Sequence, residues 1–247
     1  MSSVRYSDLP RERRLFDPIR LFNSLQIRIP RSFLSDKSNW RILLVPGTSK
    51  VLRFVYTTAE DSNRVLGFFD KEPLTVRLLS LLAPGDVFLD VGASMGIYSI
   101  PAADVVGDDG LVVAVEADQE KFMRLAKNTG LNGMTQRIKA LNICAGHQST
   151  EPKVKSLSDY FGPSKLRYPS VIKIDVDGPE LQVLRGLEVT LRLSRPRLLQ
   201  VEFDITNNEL TSFLDDLGFR LIAFETHASR DSEILQRKSI VGNAWFV

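Results

Sequence analysis

Cysteine is nearly absent: Cys144 is the only one in 247 residues. No intrachain disulfide can form, and no cysteine metal cluster can be built. One thiol is compatible with a reducing cytosol, and a cytoplasmic location is expected. Long apolar runs are lacking too, since no stretch approaches the roughly 20 apolar residues that span a bilayer. The opening MSSVRYSDLPRERRLF has charge but no apolar centre, so it does not read as a secretory signal. Charge of one sign is also missing. The 32 Lys/Arg and 30 Asp/Glu leave a net charge of +2, which argues against a dedicated nucleic-acid binder. The distribution is uneven, however. Residues 1–41 carry nine Lys/Arg against four Asp/Glu, a balance of +5, so the remainder stands at −3. Those arginines are interleaved with acids and prolines, the pattern of a solvated basic extension rather than of a nucleic-acid arm. Finally, the chain has no GxGxxG and no GK[ST]. A dinucleotide fingerprint and a P-loop are thereby absent.

What is present is ordinary in amount and orderly in sequence. With 43% hydrophobic and 25% charged residues, the composition is that of a globular chain long enough for a sizeable core. Residues 1–70 read as an N-terminal extension on the substrate side, with a short helix in LFDPIRLFNSLQI and a hairpin made by WRILLVPG and KVLRFVYTT. Residues 71–247 read as the main domain. There PLTVRLLSLLAPGD is a helix, with Pro73 in its first turn and Pro84-Gly85 at its end. Strands follow at VFLDVG, LVVAVEA, RIKALNICAG, VIKIDVDG, RLLQVEFD, RLIAFETH and SIVGNAWFV. Helical patterns lie between most of them, beginning with MGIYSIPAADVV and DQEKFMRLAKNTGLN. Strands alternating with helices of ten to fifteen residues imply a mostly parallel sheet covered on both faces. The last two strands have no helix between them and are expected as an antiparallel pair at one edge.

In an open sheet of this kind ligands bind beyond the carboxyl ends of the strands. Taken in order, those ends offer Asp90 with Gly92, Ala93, Ser94 and Gly96, then Glu116, Ala117 and Asp118, then Asn142, Cys144 and His147. Asp175, Asp177 and Glu180 come next, followed by Glu202 and Asp204, and by Glu225 and His227. A rim of acids repels a pyrophosphate. It suits a ligand with an amine, a sulfonium and ribose hydroxyls but no phosphate, because carboxylates attract cations and accept two hydrogen bonds from a diol. S-adenosyl-L-methionine is that ligand. The glycines would let the backbone approach it, the helix starting near Gly96 would receive its carboxylate, and Glu116 would hold the ribose diol.

DVFLDVGASMGIYS, VVAVEAD and above all VIKIDVDGPELQVLRGL resemble the FkbM family of S-adenosylmethionine-dependent methyltransferases, over about residues 72–203. The resemblance implies a Rossmann-like class I methyltransferase fold, an α/β architecture whose seven-stranded sheet is mostly parallel with an antiparallel last strand. It implies O-methylation of a small metabolite or glycan. The chain departs from the family pattern where Asp177 replaces a glutamate, where Ser94 replaces an asparagine, and where His147 stands in place of an acid beside the adenine. The stretch after His147 is short for the family.

The expected cofactor-binding residues are Asp90, Gly92, Ala93, Ser94, Gly96, Glu116, Ala117 and Asp175. For the chemistry, Asp175, Glu202 and Lys173 are the leading residues. Asp175 is a carboxylate close to an apolar core, costly without a partner. Lys173 lies two residues earlier and points the same way along a strand. Asp118 reads equally as an N-cap, Glu180 as a group that caps its own helix, and His227 as an exposed or packed side chain. Cys144 reads as a small buried hydrophobe. No metal-ligand spacing supports a metal at Asp175, Asp177 and Glu202. The rival reading is a methyltransferase-fold interaction module without turnover, and a nicotinamide-dependent oxidoreductase is disfavoured by the missing third glycine. A small-molecule or glycan acceptor is expected, with no nucleic acid and no transmembrane segment.

Overall fold

The computed structural model describes residues 39–45, 47–68, 73–147, 154–226 and 241–247. The helix expected in LFDPIRLFNSLQI, His227 and most of the loop before the last strand lie outside the described residues. The chain opens with an antiparallel hairpin, β1 (Asn39–Leu43) and β2 (Leu52–Tyr56). Helices α1 (Ala59–Leu66) and α2 (Pro73–Leu81) follow. Then come β3 (Val87–Val91), α3 (Ser99–Val106), β4 (Leu111–Val115), α4 (Gln119–Leu131) and β5 (Ile138–Leu141). A small parallel pair, β6 (Cys144–Ala145) and β7 (Val154–Lys155), leads through a 3₁₀ turn at Leu157–Tyr160 to β8 (Val171–Ile174). The chain then forms α5 (Glu180–Ser194), β9 (Leu198–Asp204), α6 (Asn208–Asp216), β10 (Leu221–Thr226) and β11 (Val241–Phe246).

Seven strands form the main sheet in the order β10-β11-β9-β8-β3-β4-β5. All neighbours are parallel except β11, which runs antiparallel to both β9 and β10. Period-two alternation sorts the side chains onto two buried faces. Phe88, Val112, Val171 and Leu198 face one way, under Leu78 of α2, Ile100 of α3 and Leu125 of α4. Leu89, Val113, Ile172 and Leu199 face the other way, under Leu184 and Leu187 of α5 and Leu210 and Leu214 of α6. Leu43, Leu52, Phe54, Val65 and Phe68 join the first of these clusters, so the hairpin and α1 bury their apolar side against the same core as the main sheet.

Winding outward from β3 proceeds through β4 to β5, and the chain then returns to place β8 on the other side of β3. That reversal makes the gap between β3 and β8 the switch point, where such folds bind ligands. Three local expectations need correction. Helix α1 is absent from the reading of the sequence, although Thr58-x-x-Asp61 forms a capping box: Asp61 N donates to Thr58 Oγ1 and Thr58 N donates to Asp61 Oδ2. The segment RIKALNICAG is two strands rather than one. Its partner β4 ends at Val115, and past Leu141 the Asn142 side chain donates to the carbonyls of Glu116 and Ala117. Cys144 and His147 therefore stand off the main sheet. Thirdly, the helix after the glycine loop begins at Ser99, because residues 94–98 form turns with Gly96 inside them.

Candidate functional site

Three strands converge at the switch point, each ending in an ionisable residue. Asp90 is the fourth residue of β3 and is fully buried. Lys173 pairs with it in register on β8, is 1% exposed, and points to the same face. Its Nζ donates to Asp175 Oδ2 at 2.7 Å and lies 3.8 Å from Asp90 Oδ1. The ring of Tyr98 lies beneath the ammonium, 4.8 Å from centroid to Nζ, a cation–π contact in a dry setting. Phe68, just past α1, holds that ring from the side at a centroid distance of 5.3 Å. The lysine thus serves two acids, which no single-partner ion pair would explain.

The two acids titrate in opposite directions. Burial pushes the Asp90 carboxyl up. Lys173 and the Ser99 hydroxyl pull it down, Asp175 and Glu116 push it up again, and the net displacement is upward. Burial acts the same way on Asp175. There, however, it is outweighed by the Lys173 ammonium, by a side-chain hydrogen bond with Glu202 and by the field of Arg64, so Asp175 stays well below the usual carboxylate range. One carboxylate is thereby held ionised at neutral pH next to another that resists ionisation. Such a split is a mark of a functional cleft. Asp90 Oδ2 accepts from Ser99 Oγ, whereas Asp90 Oδ1 has no hydrogen-bond partner. A buried acceptor left open asks for a ligand or a water.

Glu116 closes the other side. It is 8% exposed, and both oxygens accept from backbone: Oε2 from Ser94 N at 2.7 Å and Oε1 from Asp118 N at 2.8 Å. Each oxygen keeps a second lone pair for a diol. The glycine loop between these acids is shaped by the protein itself. A Cβ on Gly92, at φ +81°, would sit 1.8 Å from the carbonyl oxygen of Asp175. A Cβ on Gly96, at φ +90°, would press on Leu125 and Ile100. Gly92 therefore permits β3 and β8 to close together at the switch point, and Gly96 permits α3 and α4 to pack. Ser94 takes a left-handed turn at φ 50°, with Ala93 buried beside it. Ala117 is exposed at the tip of β4.

The structure brings Asp90, Glu116, Lys173, Asp175 and Glu202 together. Others stand apart. Asp118 caps α4, accepting from Lys121 N, a bond that lowers its pKa. Glu180 accepts from Gly178 N within its own turn, and its pKa is raised by burial. Asp177 and His147 are exposed, and Asp204 holds its own turn through Thr206. Among the described residues no three His, Cys, Asp or Glu side chains are grouped to hold a metal ion. Sequence reasoning passed over Ser99, Tyr98 and Arg64. The only signal for Ser99 was its place in the first turn of a helix facing Asp90.

Residues 145–221 match the model of the methyltransferase FkbM domain. The chain has the class I methyltransferase fold. A crystal structure of methyltransferase FkbM from Methylobacillus flagellatus KT superposes with a TM-score of 0.53 at 19% identity, covering 68% of this chain and 45% of that one. The hexuronic acid methyltransferase AglP of Haloferax volcanii is 22% identical over 204 residues, 74% of this chain and 83% of that protein. A human tRNA (guanine(37)-N(1))-methyltransferase is 35% identical over 95 residues, 38% of this chain. The chain spans 18% of that human relative and under half of the Methylobacillus chain. The FkbM match takes in β8 and β9, and with them Lys173, Asp175 and Glu202. Asp90 and Glu116 come from the half of the sheet that precedes it.

Proposed function

We propose that this chain is an S-adenosylmethionine-dependent methyltransferase that methylates a hydroxyl of a small metabolite or glycan. The observation that carries this reading is the convergence of Asp90, Glu116 and Asp175 on one glycine loop at the switch point of a class I methyltransferase fold. The FkbM match supports the same activity. The alignment with the hexuronic acid methyltransferase, which extends over most of that protein, supports a sugar-like acceptor.

S-adenosylmethionine, when bound, supplies a methyl already activated on a sulfonium, so the protein's work is mostly binding and alignment. Glu116 suits the ribose diol with its remaining lone pairs. Asp175 supplies negative charge facing a cationic ligand and Asp90 an open acceptor oxygen, with Lys173 keeping both in place. Asp175 is a weak base, since its pKa is depressed. It therefore orients the ligand and stabilises charge, with Glu202 beside it at the end of β9.

The test is calorimetric titration with S-adenosylhomocysteine, followed by methyl transfer from labelled cofactor to a panel of sugars, sugar acids, hydroxylated metabolites and RNA. Binding in the micromolar range with transfer to a hydroxyl is the expected result. Binding without turnover on any acceptor would favour a non-catalytic module. Turnover on RNA would overturn the acceptor half of the proposal, and absence of binding at millimolar ligand would overturn all of it.

A further inference from the structure

Asn128 of α4 and Asn132, the residue capping its carboxyl end, stand one turn apart and face the open edge of β2. Asn132 Oδ1 accepts from Arg53 N at 2.8 Å and its Nδ2 donates to Arg53 O at 2.7 Å. Asn128 Oδ1 accepts from Val55 N at 2.8 Å, and its Nδ2 reaches Val55 O at 3.4 Å. Four residues of helix rise about 6 Å, and two residues of strand rise about 6.7 Å, so the two amides match successive outward-facing residues of the hairpin. The helix completes the edge of β2 with side chains where a strand would have used backbone.

The two amides differ in one respect. Asn128 is fully buried, and its Nδ2 also donates to the carbonyl of Met95 at 3.0 Å, in the middle of the glycine loop. The preceding residue of that loop, Ser94, gives its N–H to Glu116. Residues 94 and 95 are thus held from two sides, by a carboxylate at the end of β4 and by an amide on α4. The Asn128 amide can face Met95 only with its nitrogen, and the Val55 N–H fixes that orientation by taking the oxygen.

We infer that Asn128 is a positioning residue for the cofactor loop, and that the docked N-terminal hairpin holds the loop in shape through it. This inference rests on the reading of the loop as a cofactor site. By linkage, a ligand that needs the loop in this shape also favours the docked hairpin.

The experiment uses the full chain with three substitutions. Asn128→Asp keeps the acceptor for Val55 and removes the donor to Met95. Val55→Pro removes the N–H that orients the amide without touching α4, at a strand position whose N–H faces away from β1. Asn132→Asp removes the donor to the Arg53 carbonyl and to the Asn128 carbonyl while leaving every contact of the glycine loop in place, and serves as the matched control. The readouts are S-adenosylhomocysteine affinity, thermal midpoint, and hydrogen exchange of residues 93–98. We expect the first two variants to weaken S-adenosylhomocysteine by tenfold or more and to speed exchange in the loop. Asn132→Asp should leave both within twofold, even where its midpoint falls as far. Equal effects of Asn128→Asp and Asn132→Asp on affinity and on loop exchange would overturn the inference. Should the unsubstituted chain fail to bind S-adenosylhomocysteine, the proposed function falls, and the exchange data alone still decide whether Asn128 holds the loop.

Discussion

The strands β3, β8 and β9 carry acids and cations at both of their ends, and the two ends behave differently. At the amino ends, Asp86, Ser170 and Arg197 immediately precede the three strands. Asp86 accepts from Ala83 N and Ser170 Oγ, each at 2.7 Å, and from Arg197. Arg197 also donates to Leu81 O. At the carboxyl ends stand Asp90, Lys173, Asp175 and Glu202, with one buried oxygen left open and one lysine shared between two acids. Burial acts on Asp86 too, but its hydrogen bonds and Arg197 prevail, so its pKa is lowered. That of Asp90 is raised. Residue types alone do not distinguish the two groups. Burial and the completeness of hydrogen bonding do: the amino-end cluster is a fastening, and the carboxyl-end cluster is the candidate site.

The contrast can be broken in several ways. The largest effect is expected from the glycines. Gly92→Ala puts a methyl into the Asp175 carbonyl and should cost on the order of 5 kcal/mol or prevent folding. Gly85→Ala, before β3 at φ +85° with open space around it, should cost only the left-handed strain, about 1–2 kcal/mol. Urea denaturation of the two variants decides, and equal losses would contradict the close approach at the switch point.

Next come the cations. Lys173→Met strands two acids in the interior and should cost about 3–5 kcal/mol. Arg197 is 45% exposed along its side chain, and Arg197→Ala should cost about 1 kcal/mol or less. The serines give a smaller contrast of the same kind. Ser99→Ala leaves Asp90 Oδ2 without its donor in a dry setting, a loss of about 1–3 kcal/mol. Ser170→Ala leaves Asp86 with Ala83, Arg197 and solvent, so its loss should be the smaller of the two in the same denaturation series.

The smallest effect is on pH dependence, and there the two ends of β3 should differ in sign. The folded pKa of Asp86 is below its ordinary 3.8, so its contribution is present above 3.8 and is lost as pH falls below that value toward the folded pKa. The folded pKa of Asp90 is above 3.8, so its contribution is present below 3.8 and is lost as pH rises through the folded pKa. Stability measured from pH 3 to 7 should therefore fall less steeply toward acid in Asp86→Asn than in the unsubstituted protein. Asp90→Asn should gain on the unsubstituted protein as pH rises. Changes of the same sign in both variants would count against the assigned environments.

Much of this was legible in the chain before any coordinates. The apolar runs ending in Asp90, Glu116 and Asp175 placed three acids at strand ends, because a buried parallel strand reads as an unbroken apolar stretch. The pairing of Lys173 with Asp175 followed from period-two geometry. Other features were illegible because they depend on partners distant in the chain. Nothing near Asn128 announces that it meets Val55, 73 positions earlier, and nothing near Phe68 announces Tyr98. Helix α1 was missed for a different reason. Its capping box was written in the sequence but lay beside a strand-like run that drew the reading.

Local patterning determined the order of strands and helices, the parallel sheet with its antiparallel close, and which acids would reach the rim, since these depend on propensity and periodicity within a few residues. Tertiary structure alone decided that Gly92 makes room for Asp175, that Lys173 serves both Asp90 and Asp175, and that the hairpin fastens to α4 through Asn128, which also holds Met95 of the glycine loop. Those outcomes turn on distance, burial and desolvation between segments far apart in the chain, and no window of sequence contains them.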